Sequence, residues 1–190
     1  MLALLAMFVL SPTADAMDAT AVHAAMDAEA GWTRVQERDG VTVYRKSIPG
    51  LDIDAFKGIK TLDPDVDPAL MFRLICDVSA HVKYSPALAE TGLIQESATG
   101  MTYYQVMKSP PLLPVAPRYW VNTAAMEYDV DGEAGRNRRR WSSLPLDQLP
   151  EIHARIKEKH EGAVLVAFTH GVWDLDPEPD GTTTVRYYQV

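Results

Sequence analysis

Tyr103, Gln105 and Met107 stand at alternate positions of one strand-like run, 102–108, and Arg118, Trp120, Asn122, Met126 and Tyr128 at even-numbered positions of a second, 118–128. Successive strand residues point to opposite faces, so each set shares one face of its strand. The chemistry they offer is recognition. Arg118 carries a planar fork that pairs with a phosphate or carboxylate head, or forms a salt bridge at a sheet edge. Gln105 and Asn122 can orient a hydroxyl or carbonyl of a ligand, or hydrogen-bond one another within a core. No nucleophile, base or metal cluster accompanies these runs, and their aromatic and thioether content suits a sheet curved around an apolar ligand.

Other reactive types are scattered. Asp63, Asp65 and Asp67 imitate the start of a calcium loop, but Pro68 occupies the position that needs glycine and Leu74 the position of the bidentate glutamate. Helix capping accounts for Asp67. His153 and His160 are seven residues apart, too far for the i, i+4 pair of a zinc helix. His23, His81 and His170 read as solvated or core histidines, and Cys76 is the single cysteine, which excludes an intramolecular disulfide. Neither a Gly-x-Ser-x-Gly motif nor a phosphate-cradling glycine loop is present. Arg136, Arg138, Arg139 and Arg140 precede Trp141. They read as the solvated face of a strand, with contact to anionic lipid headgroups as the alternative use. Nothing calls for a cofactor.

The formal charge of -8 opposes a broad phosphate-binding surface, which excludes DNA and RNA as expected partners. At 190 residues and 47% hydrophobic content the chain suffices for one domain with a sizeable core, expected as a monomer. Residues 2–10 are apolar and lead through Ser11-Pro12 to the small-residue site Ala14-Asp15-Ala16, the pattern of a signal peptide spanning 1–16. The run is too short to cross a bilayer, and the domain at 17–190 is expected in the periplasm or outside the cell.

The elements that must position these residues follow from period and punctuation. Residues 17–31 have helical spacing and end in Gly31. Strands are expected at 33–37, 41–46 and 53–62, the first two joined by Arg38-Asp39-Gly40. Asp67-Pro68 opens a helix with Leu70, Met71, Leu74, Ile75 and Val78 as its apolar stripe. Six strands follow at 88–95, 101–107, 118–128, 136–143, 163–175 and 182–190, with an interruption at 145–161 carrying a short helix with Ile152 and Ile156 on one side. This order predicts an α+β fold with one antiparallel sheet.

Several stretches, in this order, carry a resemblance: Trp32 with Asp39-Gly40-Val41-Thr42-Val43-Tyr44, Phe56-Lys57-Gly58, Pro117-Arg118-Tyr119-Trp120-Val121, and Gly171-Val172-Trp173 leading into Asp180-Gly181-Thr182-Thr183. Through them residues 30–190 resemble the StAR-related lipid-transfer (START) family, as an exported bacterial member. The resemblance implies the helix-grip fold, related to Bet v 1, in which a curved antiparallel sheet encloses a hydrophobic cavity against a C-terminal helix. That helix is expected beyond Val190. Sterol-binding members bury an acid and an arginine whose places here are Gln105 and Ala124, so a sterol ligand is not implied. With position 124 facing inward, Tyr103, Gln105, Met107, Arg118, Trp120, Asn122, Met126 and Tyr128 form the expected lipid-binding wall, Arg118 reaching toward the cavity mouth.

Such a wall binds by desolvation: at roughly 0.8 kcal/mol per buried CH₂, a ~16-carbon chain offers about 13 kcal/mol before ordering costs. The implied function is non-enzymatic binding or transfer of a lipid or other hydrophobic small molecule, with transient membrane contact. The alternative is an enzyme resembling polyketide aromatases and cyclases, with Arg118, Tyr103 or a histidine as acid or anchor.

Overall fold

Asp39 and Gly40 both adopt positive φ, 53° and 73°, in the tight connection that pairs Arg38 with Val41. Two central residues of this kind make the turn whose twist matches that of the flanking strands. The computed structural model describes residues 18–109, 115–145 and 147–190. The stretch 1–17, with its signal-like pattern, and residues 110–114 of the proline-rich crossing lie outside the described residues.

The hairpin joins β1 (Thr33–Arg38) to β2 (Val41–Ser47), and β3 (Asp54–Leu62) pairs antiparallel with β2. Helix α2 (Pro68–Cys76), which follows α1 (Ala19–Asp27), starts as its sequence dictates. The Asp67 carboxylate accepts from the Ala69 amide at 2.8 Å, and Pro68 sits where no N–H is needed. A 3₁₀ turn, Val78–Ala80, and the short α3 (His81–Tyr84) lead to β4 (Leu88–Glu96). Then come β5 (Gly100–Met107), β6 (Arg118–Glu127), β7 (Asn137–Ser143), α4 (Pro150–Lys159), the two-residue β8 (Val164–Leu165), β9 (His170–Pro177) and β10 (Thr183–Gln189).

Among the described residues all ten strands belong to one sheet, ordered β1-β2-β3-β10-β9-β7-β6-β5-β4 with antiparallel pairing throughout and β8 parallel beside β6. The expected α+β architecture is therefore present. Two details differ from expectation. The run 163–175 is not one strand: β8 fills the place alongside Arg118 and Tyr119 that β7 leaves, and four residues then carry the chain to β9, which pairs with β7. In α2 the buried residue is Phe72, with Met71 and Ile75 partly buried, whereas Leu70 and Leu74 face away. A nine-residue helix laid across the sheet buries only its narrow contact line, so the stripe counted from apolar spacing was too wide.

What covers each face decides where a site can lie. Tyr104, Val106, Tyr119 and Val121 point to one face, where Ile156 of α4 packs on them. On the same face α1 sets Val22 and Met26 against Val172 and Tyr188, and the Lys46 ammonium donates to the Ala25 and Ala28 carbonyls at 2.6 and 2.8 Å, capping the end of α1. The segment 145–161 thus carries its helix behind the sheet. The opposite face meets α2: Phe72 packs among Met101, Ala124, Met126, Leu175 and Val185.

Glu90 fastens α4. Its carboxylate accepts from the Tyr104 hydroxyl at 2.7 Å and pairs with His160 at 2.6 Å and Lys159 at 2.9 Å. Burial pushes its pKa up, but these partners outweigh burial and hold it at about 2. A depressed carboxylate pKa contributes stability above the ordinary value that is lost as pH falls through the folded value. The stability deficit of Glu90→Gln, measured by urea unfolding, is expected to be full above pH 5 and to vanish as pH falls toward 2. A second expectation concerns Gly171, where an added Cβ would lie 2.0 Å from the Trp141 ring. Gly171→Ala should lower the unfolding free energy by about 1–3 kcal/mol through overpacking, read as a lower urea midpoint at unchanged slope.

Candidate functional site

On the face that α2 only partly covers, the sheet bounds a hollow of about 690 Å³, within the range of small-molecule sites. Its wall is aromatic because the strands crossing it place large rings on this one face: Tyr103 from β5, Trp120 from β6, Trp141 from β7, Trp173 from β9 and Tyr187 from β10. Trp141 stacks on Tyr187 with centroids 5.8 Å apart, and Trp173 lies 4.4 Å from the same ring. Burial and the neighbouring Tyr103 push the Tyr187 phenol up to about 12, so it stays neutral at ordinary pH.

The polar groups of the wall are few and mostly closed on each other. Trp120 Nε1–H donates to Gln105 Oε1 at 3.0 Å, and Gln105 Nε2–H donates to His81 Nδ1 at 2.9 Å. His81 Nε2 then lies 3.0 Å from the Ile75 carbonyl, which as a pure acceptor places the imidazole proton on Nε2. Burial, and next the nearby Arg139, lower the His81 pKa and favour this neutral form. Asn122 Nδ2–H donates to the Tyr103 hydroxyl at 3.3 Å, but its buried Oδ1 has no partner among the described residues.

Arg139 is the group that alternation makes conspicuous. It is 2% exposed and lines the hollow, whereas Arg136 and Arg138 share Asp174, and Arg140 pairs with Asp27 and Glu127. Its Nη1–H donates to the Ile75 carbonyl at 3.3 Å, near the negative end of α2, and Nη2 is 3.9 Å from the Met101 sulfur. Tyr103 and Trp141 flank the guanidinium at 4.9 and 5.9 Å from their centroids. Nε has no acceptor, and no carboxylate among the described residues pairs with it.

Of the eight residues read from sequence as a wall, Tyr103, Gln105, Met107, Trp120 and Asn122 line the hollow. The other three lie elsewhere. Arg118, at the strand end, donates to the Ala116 carbonyl at 3.0 Å. Met126 is buried in the cluster around Phe72, and Tyr128, past the end of β6, is 55% exposed with its ring edge-on to Phe72 at 5.7 Å. Gln105 and Asn122 do not bond one another. Sequence reading missed Arg139, Trp141, Trp173, Tyr187 and His81. For Arg139 a signal was present: in Arg138-Arg139-Arg140-Trp141 a period of two separates Arg139 from its basic neighbours and joins it to Trp141.

The chain matches no protein-family model. An uncharacterised protein of Pseudomonas aeruginosa is 28% identical over 156 residues, covering 82% of this chain and 69% of that protein. Among solved structures, a fragment of a StAR-related lipid transfer protein from Xanthomonas axonopodis superposes with a TM-score of 0.68 at 24% identity, over 84% of this chain and 81% of that one. Human StAR-related lipid transfer protein 5 superposes with a TM-score of 0.67 at 17% identity, over 90% and 78%. The fold is that of the StAR-related lipid-transfer domains.

A buried cation without a counter-charge costs several kcal/mol of desolvation, only part of which one carbonyl and two rings return. Arg139→Met is therefore expected to raise the unfolding free energy of ligand-free protein by about 1 kcal/mol. Urea unfolding checks this, and a marked loss of stability would assign Arg139 to holding α2.

Proposed function

We propose that the chain, sharing the fold of StAR-related lipid-transfer domains, binds or transfers a lipid or other hydrophobic small molecule in the hollow and performs no chemistry on it. One observation carries this reading: the hollow is walled by five aromatic rings from five adjacent strands, a surface that gains free energy when an apolar guest replaces water. The neighbours in structure are described as lipid transfer proteins, which supports the same reading.

The arrangement of polar groups favours binding over catalysis. Both nitrogens of His81 are engaged, one by Gln105 and one by the Ile75 carbonyl, so this imidazole has no free lone pair to act as a base toward a guest. The Tyr187 phenol, held up at about 12, is a poor proton donor at neutral pH. Loading and delivery at a membrane would require only transient contact, and the pattern at 2–16 supports placing this activity in the periplasm or outside the cell.

Organic extraction of the purified protein followed by mass spectrometry is expected to yield a hydrophobic compound near one equivalent. Ala87→Trp puts an indole at the rim of the hollow. Excluding about two CH₂ groups of guest should weaken binding of a long-chain ligand by about tenfold, measured by calorimetry. Empty extracts together with no uptake of any long-chain ligand would overturn the reading.

A further inference from the structure

Arg136, Arg138 and Arg140, the arginines near Arg139 in sequence, each have a carboxylate, and the chain carries 26 acidic against 18 basic residues, so acidic partners were abundant. Glu96, opposite Met101 in the register, shares the inner face, but no carboxylate among the described residues forms an ion pair with Arg139. We propose that the missing counter-charge is supplied by the guest: Arg139 is the binding site for an oxyanion head group, carboxylate or phosphate, of a single-chain amphiphile held in the hollow. The proposal deepens, and rests on, the reading of the hollow as a lipid-binding site.

Four observations support it independently of any shift in pKa. The side chain is nine-tenths buried and more, yet it lines the hollow. Its Nε–H is unused, and of its other donors one meets a carbonyl at 3.3 Å and one a thioether at 3.9 Å, leaving a planar fork available to an oxyanion. Tyr103, whose ring flanks the guanidinium, accepts from Asn122 and keeps its own O–H to donate beside it. The remaining titratable groups around Arg139 on the packed elements are His81, Cys76 and Tyr187, and the exposed Glu96 beside Cys76 forms no ion pair with it. Capping of α2 explains one N–H of five.

The geometry also sets the orientation of the guest. The head lies inward, against β7 and the end of α2, and the tail extends along Trp120, Trp173 and Met107.

The test uses the delipidated full chain and three probes of equal chain length, hexadecanoate, hexadecyl phosphate and hexadecanol, titrated into the unsubstituted protein, Arg139→Met and Arg139→Lys. At least one anion is expected to bind tenfold or more tighter than the alcohol. Arg139→Met should erase that preference, a cooperative urea transition showing that the variant is folded, and Arg139→Lys should restore part of it. Preference for the phosphate would point to a phospholipid-type head and preference for the carboxylate to a free fatty acid; either supports the assignment. Equal binding of alcohol and anions by the unsubstituted protein, or anion binding unaffected in Arg139→Met, would overturn it while leaving the hydrophobic site intact. Failure of all three probes would overturn the lipid-binding reading with it.

Discussion

The unequal covering of the two sheet faces is the constraint from which the remaining features follow. Helices α1 and α4 both lie on one face, where they bury Val22, Met26 and Ile156 against strand residues and leave little unfilled. Among the described residues the other face receives α2 and the short turns after it. Nine residues of helix cannot cover strands as long as β5 and β6, so among the described residues part of that face is left uncovered. Polar groups directed there must find partners within the wall, on α2, or in a guest.

The Ile75 carbonyl shows how tightly these possibilities are linked. It is acceptor for both His81 and Arg139, and through His81 it connects to Gln105 and the Trp120 indole. One end of α2 is thereby tied to three neighbouring strands, β5, β6 and β7. These hydrogen bonds fix the relative positions of four side chains of the wall, and preorganisation of this kind lowers the ordering cost of association.

Much of the architecture was legible in the chain because its signals are local. Asp39-Gly40 dictates a twisted hairpin turn, Asp67-Pro68 starts a helix, and period two marks the strands. The wall was legible where alternation operates undisturbed, as at Tyr103, Gln105, Trp120 and Asn122. It failed where α2 covers the face, as at Met126, and at both ends of β6. Arg118 sits where a free backbone carbonyl, that of Ala116, competes for its guanidinium, and Tyr128 immediately precedes Asp129, whose φ of 49° turns the chain away from the strand. Tertiary partition was the least legible: no local pattern tells that α4 packs behind the sheet while α2 packs on the face that Arg139 shares with Trp141. The break between β8 and β9 was hidden for a related reason, since Val164 to His170 is apolar enough to continue a strand.

The chain has four tryptophans, and three of them, Trp120, Trp141 and Trp173, line the hollow, while Trp32 packs on the far face beside Tyr188. Indole emission depends on the polarity around the ring, so three of the four indoles are placed to report on the hollow. Entry and departure of the proposed guest would therefore change an optical signal that needs no added label, with the fourth ring as a reference outside.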